Sequence, residues 1–391
     1  MYVLCDEKRV YVHTDYRVEA YDKEALVKGE KMKLLWKSEK LSKNLGKLVN
    51  AKDHLYGIGA DLVAKISKVD STVETLTFPE DFVDLFCTYS GIYLLGKTGL
   101  FRMPLERFSP AEIKRSPVSH LMEKPFSCLC ASDDSIYVAS RSQIYRIDKE
   151  GGKVNEKALT EVCMMLISEE GPIAIRKDGK ILNMDENMEV LSTGEFDGEP
   201  IKAEYNVHHT FLLTSTGLHI FGKTGGRIAH ISDSKYLSFS EGLNHVYLYK
   251  ENGFEVASKA DILGDNYQKV DLATVSAIVF TSLMLFEREK GVKVNIRERY
   301  GLLDIRVGDQ SIQVEKLFFR ISKYFPEVFI LFSNSGYYES LMEFGQRFEL
   351  IKKEERSITL NRDLLDHLLR KHSAFEAFRE DIIHLVSSCL A

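Results

Sequence analysis

Two segments of the sequence match the spacing of a phosphate-binding loop, which makes them the first candidates for chemistry. They are GIYLLGKT at residues 91–98 and GLHIFGKT at residues 217–224. A working loop places flexible glycines ahead of a helix, because its backbone N–H groups surround the phosphate. Here the variable positions are strand-forming residues, and more strand-like sequence follows. The sequence therefore predicts no nucleotide binding at Lys97 or Lys223.

A run of lysines near the N-terminus could contact phosphate groups or an acidic partner. The candidate contact residues are Lys23, Lys28, Lys31, Lys33, Lys37, Lys40, Lys43 and Lys47, and the basic segment ends at Lys52. Three glutamates interrupt this segment, so it is net basic in a chain of formal charge −6. Lysine–phosphate contacts give salt-dependent affinity for RNA. Lysines also protect the exposed edges of sheets, and the sequence leaves both roles open.

Sequence patterns typical of catalysis and metal binding are absent. The eleven histidines form no HExxH motif, the six cysteines lack zinc-ligand spacing, and there is no GxSxG motif. We therefore expect a non-catalytic protein with no cofactor and no metal. Scattered cysteines indicate reduced thiols, and the start MYVLCDEKRV carries charge where a signal peptide is apolar. These features predict a cytoplasmic or nuclear protein, without a membrane span.

The segments around these candidates repeat along the chain. SIYVASRSQIYRID at residues 135–148 predicts a β-hairpin, and similar blocks begin near residues 9, 54, 91, 171, 209 and 245. Their equivalent positions are Tyr11, Tyr56, Tyr93, Tyr137, Ile173, Phe211 and Tyr247. Strand-like runs flank the hairpins, such as DFVDLFC before the block at Gly91 and YQKVDL after the last block. Four short strands per repeat predict a seven-bladed β-propeller over residues 1–271.

The pattern changes at residue 272. Residues 272–289 are apolar on all sides and predict a buried helix that ends before Gly291, and residues 292–307 predict two short strands. Helical spacing then predominates, for example at Leu341, Phe344, Phe348 and Ile351. The predicted fold class is mainly β, with the propeller followed by a smaller α+β or helical domain over residues 272–391. Residues 104–125 contain four prolines and predict a long loop between the third and fourth blades, either a binding loop or an ordered cover over a blade edge.

Residues 208–227, HHTFLLTSTGLHIFGKTGGR, resemble a repeat of the regulator of chromosome condensation family. The matching residues are His209, Thr210, Leu212, Leu213, Gly217, Ile220, Phe221, Gly222 and Gly226. That family forms seven-bladed propellers, and the resemblance implies the same fold here. The family's exchange-factor activity is not carried over.

Residues 302–329, LLDIRVGDQSIQVEKLFFRISKYFPEVF, are similar to the opening of a BTB domain. Asp304, Gly308, Phe318, Ser322, Tyr324 and Phe325 stand at the matching positions, while Val314 replaces the family's usual histidine. The resemblance implies a BTB-like core that includes Asp304, Phe318, Ser322, Tyr324 and Phe325. It also implies self-association, or capture of a cullin, through residues 272–391.

Together these features favour a protein-interaction adaptor, such as one that serves a ubiquitin ligase. In that hypothesis the propeller docks a partner within a larger assembly, and the BTB-like domain recruits or dimerises. Two alternatives stay open. One is a ribosome- or RNA-associated factor that uses the basic segment, and the other is a scaffold subunit of a coat, pore or tethering complex.

Overall fold

The protein is described from a computed structural model of the chain. The structure describes residues 1–51, 53–88, 91–105, 107–149, 154–299, 302–334, 337–354, 357–371 and 373–390. The chain folds into two compact units, which we call unit 1 (Met1–Lys269) and unit 2 (Val270–Ala391).

The described part of unit 1 contains seven antiparallel sheets and two short helices. The strands are β1 Tyr2–Cys5, β2 Arg9–Thr14, β3 Arg17–Asp22 and β4 Leu34–Lys37 in sheet 1; β5 Lys47–Asn50, β6 His54–Ile58, β7 Leu62–Ser67 and β8 Val73–Thr77 in sheet 2; β9 Phe82–Cys87, β10 Ile92–Gly96, β11 Leu100–Met103 and β12 Lys114–Arg115 in sheet 3; β13 Phe126–Ala131, β14 Ser135–Ser140, β15 Gln143–Asp148 and β16 Val154–Ala158 in sheet 4; β17 Val162–Ile167, β18 Pro172–Arg176, β19 Lys180–Met184 and β20 Val190–Glu195 in sheet 5; β21 Pro200–Asn206, β22 His209–Thr214, β23 Gly217–Gly222 and β24 Arg227–Ile231 in sheet 6; β25 Ser238–Glu241, β26 His245–Lys250 and β27 Gly253–Ser258 in sheet 7. The helices are α1 Lys23–Val27 and α2 Lys259–Leu263.

The first strands of the sheets form a closed ring. β1 contacts β5, and the series continues through β9, β13, β17, β21 and β25, which contacts β1 again. Within each sheet the strands follow one another outward in chain order. This radial arrangement is that of a β-propeller, in which the sheets pack face to face around a central axis.

The seven aligned repeat positions occupy equivalent places, as predicted. Each lies on the second strand of its sheet, and its cross-strand partner lies on the first strand. All seven side chains are buried. Equal phase in the sequence repeat therefore gives equal position in the fold, because each repeat builds the same supersecondary unit.

Sheet 7 differs from the prediction because it has three strands. The run YQKVDL at residues 267–272 was predicted as its outer strand, but no strand forms there. Instead α2 begins directly after β27, and the Asp271 carboxylate accepts a hydrogen bond from the Ala273 N–H at the start of the next helix. An aspartate at this position favours a helix start over a strand.

The proline-rich segment contains short regular elements in its described part, residues 104–105 and 107–125. These residues contain the outer strand β12 between two 3-10 turns, Pro110–Glu112 and Pro117–Leu121. Val118 and Met122 are buried in the core between sheets 3 and 4. The segment therefore completes sheet 3 and covers its edge, as edge strands in native proteins are commonly covered.

Unit 2 combines one sheet with several helices. Its elements are α3 Leu272–Lys290, β28 Val294–Arg299, β29 Leu302–Val307, β30 Gln310–Ile312, α4 Val314–Ser322, α5 Phe329–Ser333, α6 Tyr338–Arg347, β31 Ile351–Glu354, β32 Ser357–Leu360, α7 Leu365–Lys371, α8 Ser373–Ala377 and α9 Arg379–Ser388. The sheet order is β30-β29-β28-β32-β31. The helical spacing predicted at Ile351 was wrong, because this residue begins β31 and Phe348 is exposed.

The helix α3 is the core element of unit 2. It contacts α6, α7 and α9, and the Ser276 hydroxyl donates a 2.9 Å hydrogen bond to the Leu341 carbonyl. Gly291 ends the helix in the left-handed conformation, with a φ of 63°. The apolar residues around α3 thus pack within its own unit. Among the described residues no helix combines the length and apolarity needed to cross a membrane.

Candidate interaction surface

In both segments with phosphate-loop spacing, the lysine is in contact with a carboxylate of the same protein. Lys97 lies 2.5 Å from an Asp81 oxygen, and the Thr98 N–H and hydroxyl both donate to Glu80. Lys223 forms an ion pair with Glu169. Each lysine follows a strand, β10 or β23, and not the start of a helix. Acidic groups at these positions repel phosphate, which is a physical reason to expect no nucleotide there.

Most of the candidate lysines contact their own protein. Lys28, Lys33, Lys37, Lys43 and Lys47 form ion pairs with Glu24, Asp22, Glu19, Asp61 and Asp84, respectively. Lys23 donates a 2.7 Å hydrogen bond to the Asp6 carbonyl, and the Lys40 ammonium lies 5.5 Å from the centre of the Tyr16 ring. Lys31 is exposed and has no ion pair among the described residues. Lys52 lies outside the described residues.

The same segment exposes large apolar side chains that the lysine pattern did not reveal. Val27, Met32 and Leu35 are each 41% exposed, and Leu34 is 48% exposed. Together with Lys28, Lys31 and Lys33 they lie in the stretch from the end of α1 to the start of β4, which also contains the exposed Glu30. We call the four apolar residues and the three lysines the docking surface. Apolar side chains interleaved with cations are typical of sites that bind an acidic and partly apolar partner.

The docking surface lies beside sheet 7. Leu34 pairs across the strands with Tyr21, and the Tyr21 ring lies 5.8 Å from the Phe254 ring on β27. Met32 lies against Gly253, since a β-carbon built on that glycine would meet its sulfur at 3.2 Å. Cross-strand partners share one face of a sheet. The outer part of sheet 1 therefore packs against the outer strand of sheet 7 through side-chain contacts.

The outer edge of β27 carries backbone groups that no strand pairs. Lys250 and Gly253 close a two-residue hairpin, and β26 pairs with β27 as far as His245 and Ser258. In an antiparallel pair, alternate residues direct their N–H and C=O groups away from the partner strand. Phe254 and Val256 are such residues, and the described residues contain no fourth strand beyond them.

A buried polar network joins the first and last sheets of the ring. The Lys202 ammonium on β21 donates to the carbonyls of Val3 on β1 and Phe239 on β25, and it contacts the Glu204 carboxylate. Burial lowers the pKa of Lys202 and raises the pKa of Glu204, while their mutual contact opposes both shifts. The network therefore links β21, β25 and β1 where the ring of first strands closes.

The cysteines show little capacity for chemistry. All six are free thiols, and Cys5, Cys128, Cys130 and Cys389 are buried. Burial raises the pKa of the Cys128 and Cys130 thiols, which makes the reactive thiolate scarce. No group of three histidine, cysteine or acidic residues in the described part of the chain could hold a metal ion.

The residues predicted as a BTB-like core lie around α4 in unit 2. Phe318 and Ser322 on α4 are fully buried, and Phe325 packs against Phe375 with 4.9 Å between ring centres. Tyr324 is half-buried and packs against Phe378 at 5.0 Å. Asp304 pairs instead with Arg306 on the same strand at 3.1 Å. Phe318, Ser322 and Phe325 are thus buried in the core of unit 2, Tyr324 and Asp304 are partly buried, and the BTB-like organisation stays a prediction.

A relative of known sequence covers nearly the whole chain. The chain is 38% identical over 386 residues to an uncharacterized protein of Aquifex aeolicus (strain VF5). The alignment covers 98% of this chain and 96% of that protein. The chain belongs to that protein's family. No family model matches the chain.

Several solved structures have folds similar to part of this chain. The extracellular domain of BT4673 from B. thetaiotaomicron matches with a TM-score of 0.54 and 12% identity, over 68% of this chain and 41% of that domain. PorZ from Porphyromonas gingivalis matches with a TM-score of 0.49 and 13% identity, over 66% of this chain and 36% of PorZ. BamB from Moraxella catarrhalis matches with a TM-score of 0.47 and 12% identity, over 65% of this chain and 83% of BamB. These likenesses concern the β-propeller fold alone.

Proposed function

We propose that the protein is a non-catalytic interaction protein whose propeller docks another protein at the docking surface. One observation carries the proposal: four exposed apolar side chains and three lysines lie within residues 27–35, beside a strand edge that no described strand pairs. Folded proteins rarely expose contiguous apolar groups without a partner. The propeller supplies a rigid frame for this surface, because each sheet is packed between two neighbours.

We further propose that the seven sheets are seven blades, and that unit 2 is a second interaction module with a BTB-like organisation. The closed ring of first strands supports the blade count. The buried Phe318 and Phe325 beside a sheet of five strands support the second point. Self-association or cullin capture by residues 272–391, as in a ubiquitin-ligase adaptor, remains a prediction, as does a cytoplasmic or nuclear location.

The RNA-binding alternative is weaker on physical grounds. Five of the eight candidate lysines in the described segment are already paired with carboxylates. Phosphate contacts would have to replace those pairs, and the free energy gained by releasing counterions would shrink accordingly. The scaffold alternative differs from the proposal only in the size of the assembly, so the captured partner distinguishes them.

Affinity capture with matched variants tests the proposal. The full chain is used as bait in a lysate of its source cells, and captured proteins are quantified by mass spectrometry. The test variant combines Met32→Glu with Leu34→Glu. The control is Leu191→Glu, because Leu191 on β20 is 54% exposed and also lies on an outer strand.

The proposal predicts that one partner is retained at near-equal stoichiometry by the wild type and by the control. The double variant should lose at least nine-tenths of that partner while keeping the wild-type circular dichroism spectrum. Equal retention by both variants would contradict docking at this surface. Capture of RNA that is lost when Lys33, Lys37 and Lys40 are changed to glutamate would support the RNA alternative instead.

A further inference from the structure

The outer edge of sheet 7 lacks the strand that the other sheets have. In the described part of unit 1, six sheets have four strands and sheet 7 has three. Its outermost strand, β27, is six residues long, comparable to the fourth strands β8, β16 and β24, which are five residues long. The chain leaves β27 directly into α2, so the following segment does not supply the missing strand.

The edge has few of the features that block strand addition. β27 contains no proline and no lysine in the sequence GFEVAS, and it is not the short kind of strand that commonly protects an edge. Phe254 and Val256 direct N–H and C=O groups outward, as the hairpin register requires. Exposed strand edges of this kind accept an extended peptide, whose main-chain hydrogen bonds give the affinity.

The surroundings of the edge indicate the chemistry of the added strand. Met32 lies at Gly253, where β27 begins, and α1, which ends at Val27, also contacts β27. Leu34 lies beside Tyr21, which contacts Phe254. These side chains would contact apolar residues of an added strand. Lys31 is exposed and would contact an acidic residue, whereas Lys28 and Lys33 would first have to exchange their contacts with Glu24 and Asp22.

We propose that the outer edge of β27 receives an extended segment of a partner protein, in which apolar and acidic residues alternate, as the fourth strand of sheet 7. The inference rests on the proposed function and specifies how the partner binds. An antiparallel or parallel strand of four to six residues fills the position, since that is the length of most of the other fourth strands.

A peptide selection on the full chain provides the probe. Random twelve-residue peptides displayed on phage are selected against the wild type, and the enriched peptides are synthesised. Their affinities are measured by fluorescence anisotropy at 50 mM and 200 mM salt. Hydrogen–deuterium exchange of the full chain is then measured with and without each peptide.

Two substitutions at one residue separate the backbone from the side chain. Val256→Pro removes the outward N–H without touching a bond to β26, and Val256→Ala keeps that N–H and trims the side chain. We expect the proline variant to weaken peptide binding at least tenfold and the alanine variant to change it less than threefold. If the proline variant fails to fold, the exchange of the Phe254 and Val256 amides in the wild type decides the question.

The expected result is enrichment of peptides with alternating apolar and acidic residues, affinity that falls as salt rises, and at least tenfold slower exchange at Phe254 and Val256. Enriched peptides that leave these amides unprotected would overturn strand addition, as would enrichment of basic peptides or no enrichment at all. A homodimer with both amides already protected would show that a second copy fills the edge. Loss of the captured partner on Met32→Glu with Leu34→Glu, without any effect of Val256→Pro, would retain the proposed function and reject this inference.

Discussion

Replacement of Lys202 by methionine tests how the ring closes. The Lys202 ammonium is buried, and its partners lie on three different strands: the carbonyls of Val3 and Phe239 and the carboxylate of Glu204. Methionine has a similar length but no charge, so the substitution leaves a buried carboxylate without its cation. Removing one member of a buried ion pair costs about 3–5 kcal/mol.

That loss is a large share of the free energy of unfolding, which is about 5–15 kcal/mol for a natural protein. With a urea dependence of about 3 kcal/mol/M, the unfolding midpoint should fall by about 1–1.7 M. The single tryptophan, Trp36, lies in unit 1 and donates a hydrogen bond to the Lys68 carbonyl, so its fluorescence follows this unit. Urea titrations of the wild type and the variant give the two midpoints.

The double variant Lys202→Met with Glu204→Gln is the matched control. Glu204 also accepts hydrogen bonds from the Ser240 hydroxyl and from the Glu241 N–H, and a glutamine oxygen can keep one of them. The double variant should therefore lose less stability than Lys202→Met alone, because no unpaired charge remains. Glu204→Gln alone completes the cycle. A Lys202→Met variant within about 1 kcal/mol of the wild type, or a double variant whose loss is the sum of the losses of Lys202→Met and Glu204→Gln, would refute the reasoning.

Three further predictions concern pH, the core of unit 2 and nucleotides. Burial lowers the pKa of His13, His208, His209 and His219 to about 4, whereas unfolded histidines titrate near 6.5. Between about pH 4 and 6.5 the unfolded chain therefore binds more protons than the folded chain, so the urea midpoint should fall as the pH drops from about 6.5 towards 4. The fall should be smaller in His219→Asn, and a midpoint that does not change with pH would contradict the prediction. Phe318→Ala should destabilise unit 2 by about 3–5 kcal/mol, measured by calorimetry, because the ring is fully buried, whereas exposed Phe348→Ala should change little. Isothermal titration should detect no ATP or GTP binding at Lys97 or Lys223, and micromolar binding lost in Lys223→Ala would overturn that prediction.

The sequence predicts the repeating part of the fold well, because position in a repeat determines position in a blade. Tyr56 and Tyr137 lie 81 residues apart in the chain and occupy the same place in their sheets. The α3 helix was also predictable, since an element that is apolar on all sides is buried wherever it lies. In both cases the local pattern alone decides the outcome.

The departures from the prediction have local physical causes. The residues 267–272 have a strand-like composition, but Asp271 caps a helix and ends any strand there. Ile351 continues a helical spacing, yet a turn at Glu349, with a φ of 54°, ends the helix before it. Asp271 acts through its capping preference. The positive φ of Glu349 is not favoured by its residue type, so the sequence contained no signal for this turn.

The sequence indicated the lysines of the docking surface but not its exposed apolar residues. The composition revealed the lysines, whereas the exposure of Met32 and Leu34 and their position beside sheet 7 became evident only in the folded structure. Their apolar character alone suggested an ordinary strand. Such a surface arises from what the fold leaves uncovered, and periodicity within one segment does not report it.

Hydrogen–deuterium exchange of the full chain bound to its captured partner tests the central claim most directly. The account predicts slower exchange in residues 27–37 and in residues 253–258 on binding, with little change in residues 104–125. Protection confined to unit 2 or to residues 104–125, with residues 27–37 unchanged, would contradict docking at this surface.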